Sequence, residues 1–118
     1  MTGFLKVDNG TLHGLQKDWY QNGQLRYEHH YVNGKFHGSQ KGWYENGQLG
    51  SECHYINGFL YGIQRSWYEN GHPRSENHYL SGKFHGLHKW WDENGKIESE
   101  RLYCRGREIF GYLIVEDK

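Results

Sequence analysis

The sequence predicts an all-β fold: an antiparallel meander of tandem 24-residue β-hairpin repeats forming one elongated, twisted sheet. Three observations lead there. A Trp-Tyr pair recurs at 19-20, 43-44 and 67-68, with Trp91-Asp92 in the fourth place, always one repeat apart. Turn dipeptides fall into two interleaved series, Asn-Gly at 22-23, 46-47, 70-71 and 94-95, and Asn9-Gly10, Asn33-Gly34, Asn57-Gly58, Ser81-Gly82 and Arg105-Gly106. Finally, 17 glycines and a single proline accompany five tryptophans, ten tyrosines and five phenylalanines. Disordered chains are poor in aromatics, so these glycines are read as turn and packing residues.

The 118 residues are read as one domain, 1–118, with units at about 10–33, 34–57, 58–81 and 82–105 and a C-terminal cap at 106–118. Lys plus Arg and Asp plus Glu number 14 each, and the basic residues are spread out, which disfavours nucleic acid and anionic membrane or lipid as partners. No apolar run reaches membrane-spanning length, and the N-terminus lacks an export pattern. Cys53 and Cys104 fall at non-equivalent repeat positions, unlike a disulfide framework. A cytoplasmic, reducing location is the expectation.

Taken in order, each unit is two strands around an Asn-Gly turn, joined to the next unit by the second turn series. An Asn-Gly pair between alternating segments predicts a type I′ hairpin, with positive φ at both central residues. Two-residue loops then set the register. Around Asn46-Gly47 they place Tyr44 opposite Leu49, Trp43 opposite Gly50, Lys41 opposite Glu52 and Gly38 opposite Tyr55. The Lys41–Glu52 pair recurs as Lys17–Glu28, Arg65–Glu76 and Lys89–Glu100. Tyr31, Tyr55, Tyr79 and Tyr103 face Gly14, Gly38, Gly62 and Gly86, where a ring can cover backbone that glycine leaves bare. Across Asn57-Gly58, Tyr55 meets Leu60.

These registers predict two faces. One collects Leu12, Phe36, Leu60 and Phe84, the four tyrosines opposite glycine, Tyr20, Tyr44 and Tyr68, and Leu25, Leu49, Pro73 and Ile97. The other carries Trp19, Trp43, Trp67 and Trp91, the charge pairs, and His30, His54 and His78. A single layer leaves its apolar face needing a cover: curling of the sheet, the aliphatic run Phe110–Val115, or a second copy.

The nine histidines do not make a metal site on this pattern. His30, His54 and His78 would lie about 10 Å apart, whereas zinc holds its ligands within about 2.1 Å, and His29 and His30 point to opposite faces. Cys53 and Cys104 lie about 19 Å apart, too far to bridge. The charge pairs repeat four times on an open face without a cleft, and no nucleotide or nucleophile motif is present, so neither catalytic residues nor a cofactor are expected. The Trp19/Trp43/Trp67/Trp91 stripe, flanked by Arg26 and Arg74, is the candidate binding surface, against the plainer reading of sheet packing.

The segments Tyr31-Val-Asn-Gly-Lys-Phe-His-Gly38 and Tyr79-Leu-Ser-Gly-Lys-Phe-His-Gly86, each followed by Trp-(Tyr/Asp)-Glu-Asn-Gly, resemble the variant class of MORN repeats over nearly the whole chain. Tyr61 departs from the His of the His-Gly pair, and Val7 stands where a Tyr would. The resemblance implies an elongated sheet acting in protein interaction or dimerisation, without catalytic residues. By analogy with bacterial members of the class, the resemblance also implies an antitoxin-like role. The expected partner is therefore a protein or a second copy of the chain, as in a homodimer. The alternatives are an antitoxin-like partner of a cognate effector, and stacking of a glycan or choline-like cation on the aromatic stripe.

Overall fold

The structure is a computed structural model that describes residues 6–8 and 11–109, and it contains strands and turns without a helix among them. The strands are β1 (Lys6–Asp8), β2 (Thr11–Trp19), β3 (Leu25–Val32), β4 (Lys35–Phe36), β5 (Gly38–Trp43), β6 (Leu49–Ile56), β7 (Phe59–Trp67), β8 (Pro73–Leu80), β9 (Lys83–Phe84), β10 (Gly86–Trp91), β11 (Ile97–Cys104) and β12 (Arg107–Ile109). They follow one another across a single open antiparallel sheet in chain order, the short β4 and β9 attached to β3 and β8. The sheet extends 49 × 33 × 22 Å. The proposed cover Phe110–Val115, and most of the 106–118 cap, lie outside the described residues.

The two turn series differ, which corrects the uniform type I′ reading. Asn33, Asn57, Ser81 and Arg105 all have positive φ and each precedes a positive-φ glycine, as a type I′ turn requires. In the other series only Gly23, Gly47, Gly71 and Gly95 are positive. There the Gly47 N–H donates to the Tyr44 carbonyl and the Tyr44 N–H to the Gln48 carbonyl, both at 2.9 Å. That encloses a three-residue loop with its glycine left-handed at the third position.

A three-residue loop shifts the register by one, and a bulge restores it. Trp43 pairs with Leu49, not Gly50, and Tyr44 does not pair with Leu49; beyond the bulge Gly42 meets Ser51, Lys41 meets Glu52 and Gly38 meets Tyr55. The same shift pairs Trp19 with Leu25, Trp67 with Pro73 and Trp91 with Ile97. Cross-strand partners share a face, so Leu25, Leu49, Pro73 and Ile97 lie on the tryptophan side, not the tyrosine side. Distal pairs keep the expected register, including Gly14–Tyr31, Gly62–Tyr79, Gly86–Tyr103 and, across the next turn, Tyr55–Leu60.

A second irregularity interrupts the joins between units. On β3, Tyr31 pairs with Phe36 and Glu28 with Lys41, so the returning chain carries two extra residues. The join of β8 to β9 and β10 repeats this with Tyr79–Phe84 and Glu76–Lys89. Gly38 and Gly86 sit at these breaks with φ of 97° and 111°, which is why the position is glycine: backbone geometry demands it, in addition to the tyrosine opposite. The deepest side chains are polar. Gln40 and His88, 5% and 3% exposed, fill the two gaps, and no apolar side chain among the described residues is fully buried.

Candidate functional site

The tyrosine face is built from rings in van der Waals contact. Phe36 lies 5.0 Å from Tyr31, 5.1 Å from Tyr55 and 5.1 Å from His29, and His29 stacks on Tyr27 at 4.4 Å. Two units on, Phe84 lies 5.0 Å from Tyr79, 4.9 Å from Tyr103 and 4.1 Å from His88. These spacings fall in the favourable range for tilted and edge-on aromatic pairs. The structure thus gathers Tyr31, Tyr55, Tyr79 and Tyr103 into two aromatic clusters on one side of the layer.

Trp19, Trp43, Trp67 and Trp91 occur one per unit, as the spacing predicts, and all are half-buried. Their carbonyls tie the units together: the Tyr20, Tyr44 and Tyr68 hydroxyls donate to the carbonyls of Trp43, Trp67 and Trp91 at 2.5, 2.6 and 2.7 Å. Asn22, Asn46 and Asn70 donate in parallel to the carbonyls of Glu45, Glu69 and Glu93. Trp67 and Trp91 also border a depression of about 340 Å³ with Pro73, Arg65 and Glu76. Trp90, which the sequence reading did not single out, is 41% exposed.

Beside the tryptophans runs an alternating charge row. Lys17–Glu28, Lys41–Glu52 and Arg65–Glu76 approach to 3.7, 4.0 and 3.5 Å, and Lys89 and Glu100 are register partners. Glu28, Glu52 and Glu76 are in addition register partners of Lys41, Arg65 and Lys89 in the following unit. Every interior charge therefore has an opposite on both sides, which fixes register more than it adds stability.

The histidines are structural fittings. Nδ1 of His13, His37 and His85 accepts the backbone N–H of Asn33, Asn57 and Arg105 at 3.1–3.2 Å, bracing the next unit's turn. Where Tyr61 replaces this histidine, its hydroxyl bonds Ser81 Oγ at 2.8 Å, in the turn where serine replaces asparagine. His30 and His78 bond the carbonyls of Ser39 and Leu87 through Nδ1. Burial lowers the pKa of His88, opposed by its hydrogen bond to the His78 backbone and assisted by the nearby His78 charge; burial and His30 lower that of His29. Cys53 and Cys104 are free thiols, and burial followed by the Glu52 charge raises the Cys53 pKa, keeping it protonated and unreactive. Among the described residues no three His, Cys, Asp or Glu converge on a point that could hold a metal.

Arg26 and Arg74 do not flank the tryptophan stripe as the sequence predicts. Each occupies the bulge and turns away from the tryptophan stripe. The Arg26 guanidinium lies 5.8 Å from the Tyr27 ring and 3.2 Å from an Asp18 oxygen, and Arg74 lies 5.8 Å from the Tyr68 ring. Both border a groove of about 380 Å³ lined by Tyr20, Tyr27, Trp43 and Tyr44, with Gly42 and Gly50 in its floor. The bulge position reads Arg26, Gly50, Arg74 and Glu98 through the four units, so its side chain changes size and charge from one hairpin to the next.

The family model for the MORN repeat variant matches residues 12–33, 36–57, 60–80 and 84–105. Each match spans one hairpin and the turn that leads to the next. A comparison with curated proteins returns no match.

Proposed function

The chain belongs to the MORN repeat variant family, a non-enzymatic repeat family associated with scaffold roles, and from that membership we propose that it is a non-catalytic scaffold whose tyrosine face docks a protein, either a foreign partner or a second copy. One observation carries this reading. Two ring clusters lie on one side of a single-layer sheet in which no apolar side chain of the described residues is fully buried. An aromatic surface of this kind is completed by a partner. The opposite side mixes its self-neutralising charge row with the tryptophans and with exposed Val32, Ile56, Phe59 and Leu80, and offers no comparable ring cluster among the described residues. Repeat geometry supports the role, since the face lengthens by one ring cluster per two units without altering its neighbours.

The test is site-specific photo-crosslinking from position 36 on the ring face and from position 41 in the charge row, combined with sedimentation from dilute to concentrated protein. Adducts or self-association through position 36, with none from position 41, are expected. A monomer that gives no adduct at position 36 would sink the reading.

A further inference from the structure

The tyrosine face carries, at the edge nearest the Trp-Tyr turns, a feature unlike the rest of its surface. Residues Gly42 and Gly50 leave the sheet bare where the flanking units carry Asp18 and Arg26 on one side and Ser66 and Arg74 on the other. A Cβ on Gly50 would meet the Tyr44 ring at 3.1 Å, and one on Gly42 would meet Ser51 Oγ at 3.2 Å. The result is a groove of about 380 Å³ with a glycine floor, tyrosine walls and an arginine at each end.

Its charge is one-sided in a protein whose formal charges otherwise cancel. Among the described residues no carboxylate lines the groove; Asp18 beside it meets one nitrogen of the Arg26 fork, and the Arg26 side chain remains 56% exposed. Arg74 makes no ion pair with any described residue and rests on the Tyr68 ring. An arginine held by a ring face keeps its in-plane N–H donors available to a carboxylate. Glu69 and Glu93 lie in a separate depression behind Tyr44 and Tyr68, so an acidic ligand is repelled from the turns and confined to the groove.

Resting on the scaffold reading, we propose that this groove receives an extended acidic segment of the docked protein, with two carboxylates on Arg26 and Arg74 and an aromatic or aliphatic side chain between them over Gly42 and Gly50. The spacing follows from the sheet. From β3, which carries Arg26, to β8, which carries Arg74, there are four strand intervals, about 19 Å. In an extended segment residues i, i+2, i+4 and i+6 share a face, and i to i+6 covers about 20 Å, so acids at i and i+6 with an apolar residue at i+2 or i+4 match the two cations and the bare floor.

The experiment uses the full chain and the blocked heptapeptide Glu-Ser-Tyr-Ser-Tyr-Ser-Glu, with its Gln-Ser-Tyr-Ser-Tyr-Ser-Gln counterpart as control, followed by amide and arginine Nε chemical shifts. The glutamate peptide is expected to move the Gly42 and Gly50 amides and both arginine Nε signals. The glutamine peptide should bind roughly tenfold more weakly, and Arg26→Gln or Arg74→Gln should each cost a similar factor with the glutamate peptide, all diminishing as salt is raised. Equal affinity for the two peptides, or shifts that miss Gly42 and Gly50, overturns the proposal without depending on any variant folding. Absence of peptide binding alongside crosslinks from position 36 removes the groove and leaves the scaffold; absence of both removes both.

Discussion

Gln40 and His30 exchange two hydrogen bonds across the break between β4 and β5: Oε1 accepts the His30 N–H at 3.1 Å and Nε2 donates to the His30 carbonyl at 2.9 Å. The side-chain amide stands in for the strand backbone that the two extra residues displace. Gln40→Leu keeps the volume and leaves the inward-facing His30 N–H unpaired, so a loss of about 1–3 kcal/mol is expected. Urea denaturation should show a lower midpoint at unchanged slope; a midpoint equal to that of the parent would show that water serves His30 as well.

His88 fills the equivalent gap with an imidazole, bonding the His78 carbonyl at 2.9 Å and the Asn77 side-chain amide at 2.8 Å. Its pKa is held below the ordinary 6.5 by burial. The neutral ring is therefore preferred in the folded state, and below about pH 6.5 the unfolded chain takes up a proton that the folded chain resists. Stability is complete above that pH and declines as pH falls toward the folded-state value. His88→Gln, which matches residues 16, 40 and 64 of the other units, should flatten the decline, leaving the share due to His29. An identical melting profile for parent and variant between about pH 8 and about pH 5 would exclude His88 as the source.

Gly86 and Gly14 occupy the same repeat position with different surroundings. Both have positive φ, 111° and 88°, but a Cβ on Gly86 would lie 3.1 Å from the His78 Cβ, while one on Gly14 meets open space. Gly14→Ala is expected to cost the conformational penalty alone, about 1–2 kcal/mol, and Gly86→Ala more than that. Thermal melts of the two variants decide it, and equal losses would mean that the close approach at His78 relaxes freely.

Tyr44 and Tyr68 each donate a hydroxyl to the next unit's tryptophan carbonyl. Tyr44→Phe and Tyr68→Phe should each lower stability by about 0.5–1.5 kcal/mol. The two act on separate junctions, so their losses should add within about 0.5 kcal/mol in the double variant. Strong non-additivity in denaturant titrations would indicate that the junctions do not act independently.

Much of the fold was legible because the pattern is stated four times. The 24-residue period, the hairpins, the Lys41–Glu52 pairing and the placement of Tyr55 against Gly38 all follow from turn positions and strand alternation. The error near Trp43 has a physical origin: a three-residue loop and a one-residue bulge cancel in the residue count, so every pair beyond Gly42 is right and those at Trp43 and Tyr44 are wrong. That local inversion carried Leu49 to one face and Arg26 and Arg74 to the other, and with them the groove. Periodicity likewise gives no sign of the two extra residues at Gly38, because they recur in every unit and are absorbed into the repeat length.

Chain order and sheet order coincide, and that arrangement governs how the protein would respond to tension. Pulled by its two ends, a meander of this kind opens from its outermost strands, loading one or two backbone rungs at a time instead of a whole ladder in shear. Each unit released adds about 80 Å of extended chain. A protein anchored through both ends would thus yield at low force, unit by unit, and lengthen several-fold before any central pairing is disturbed.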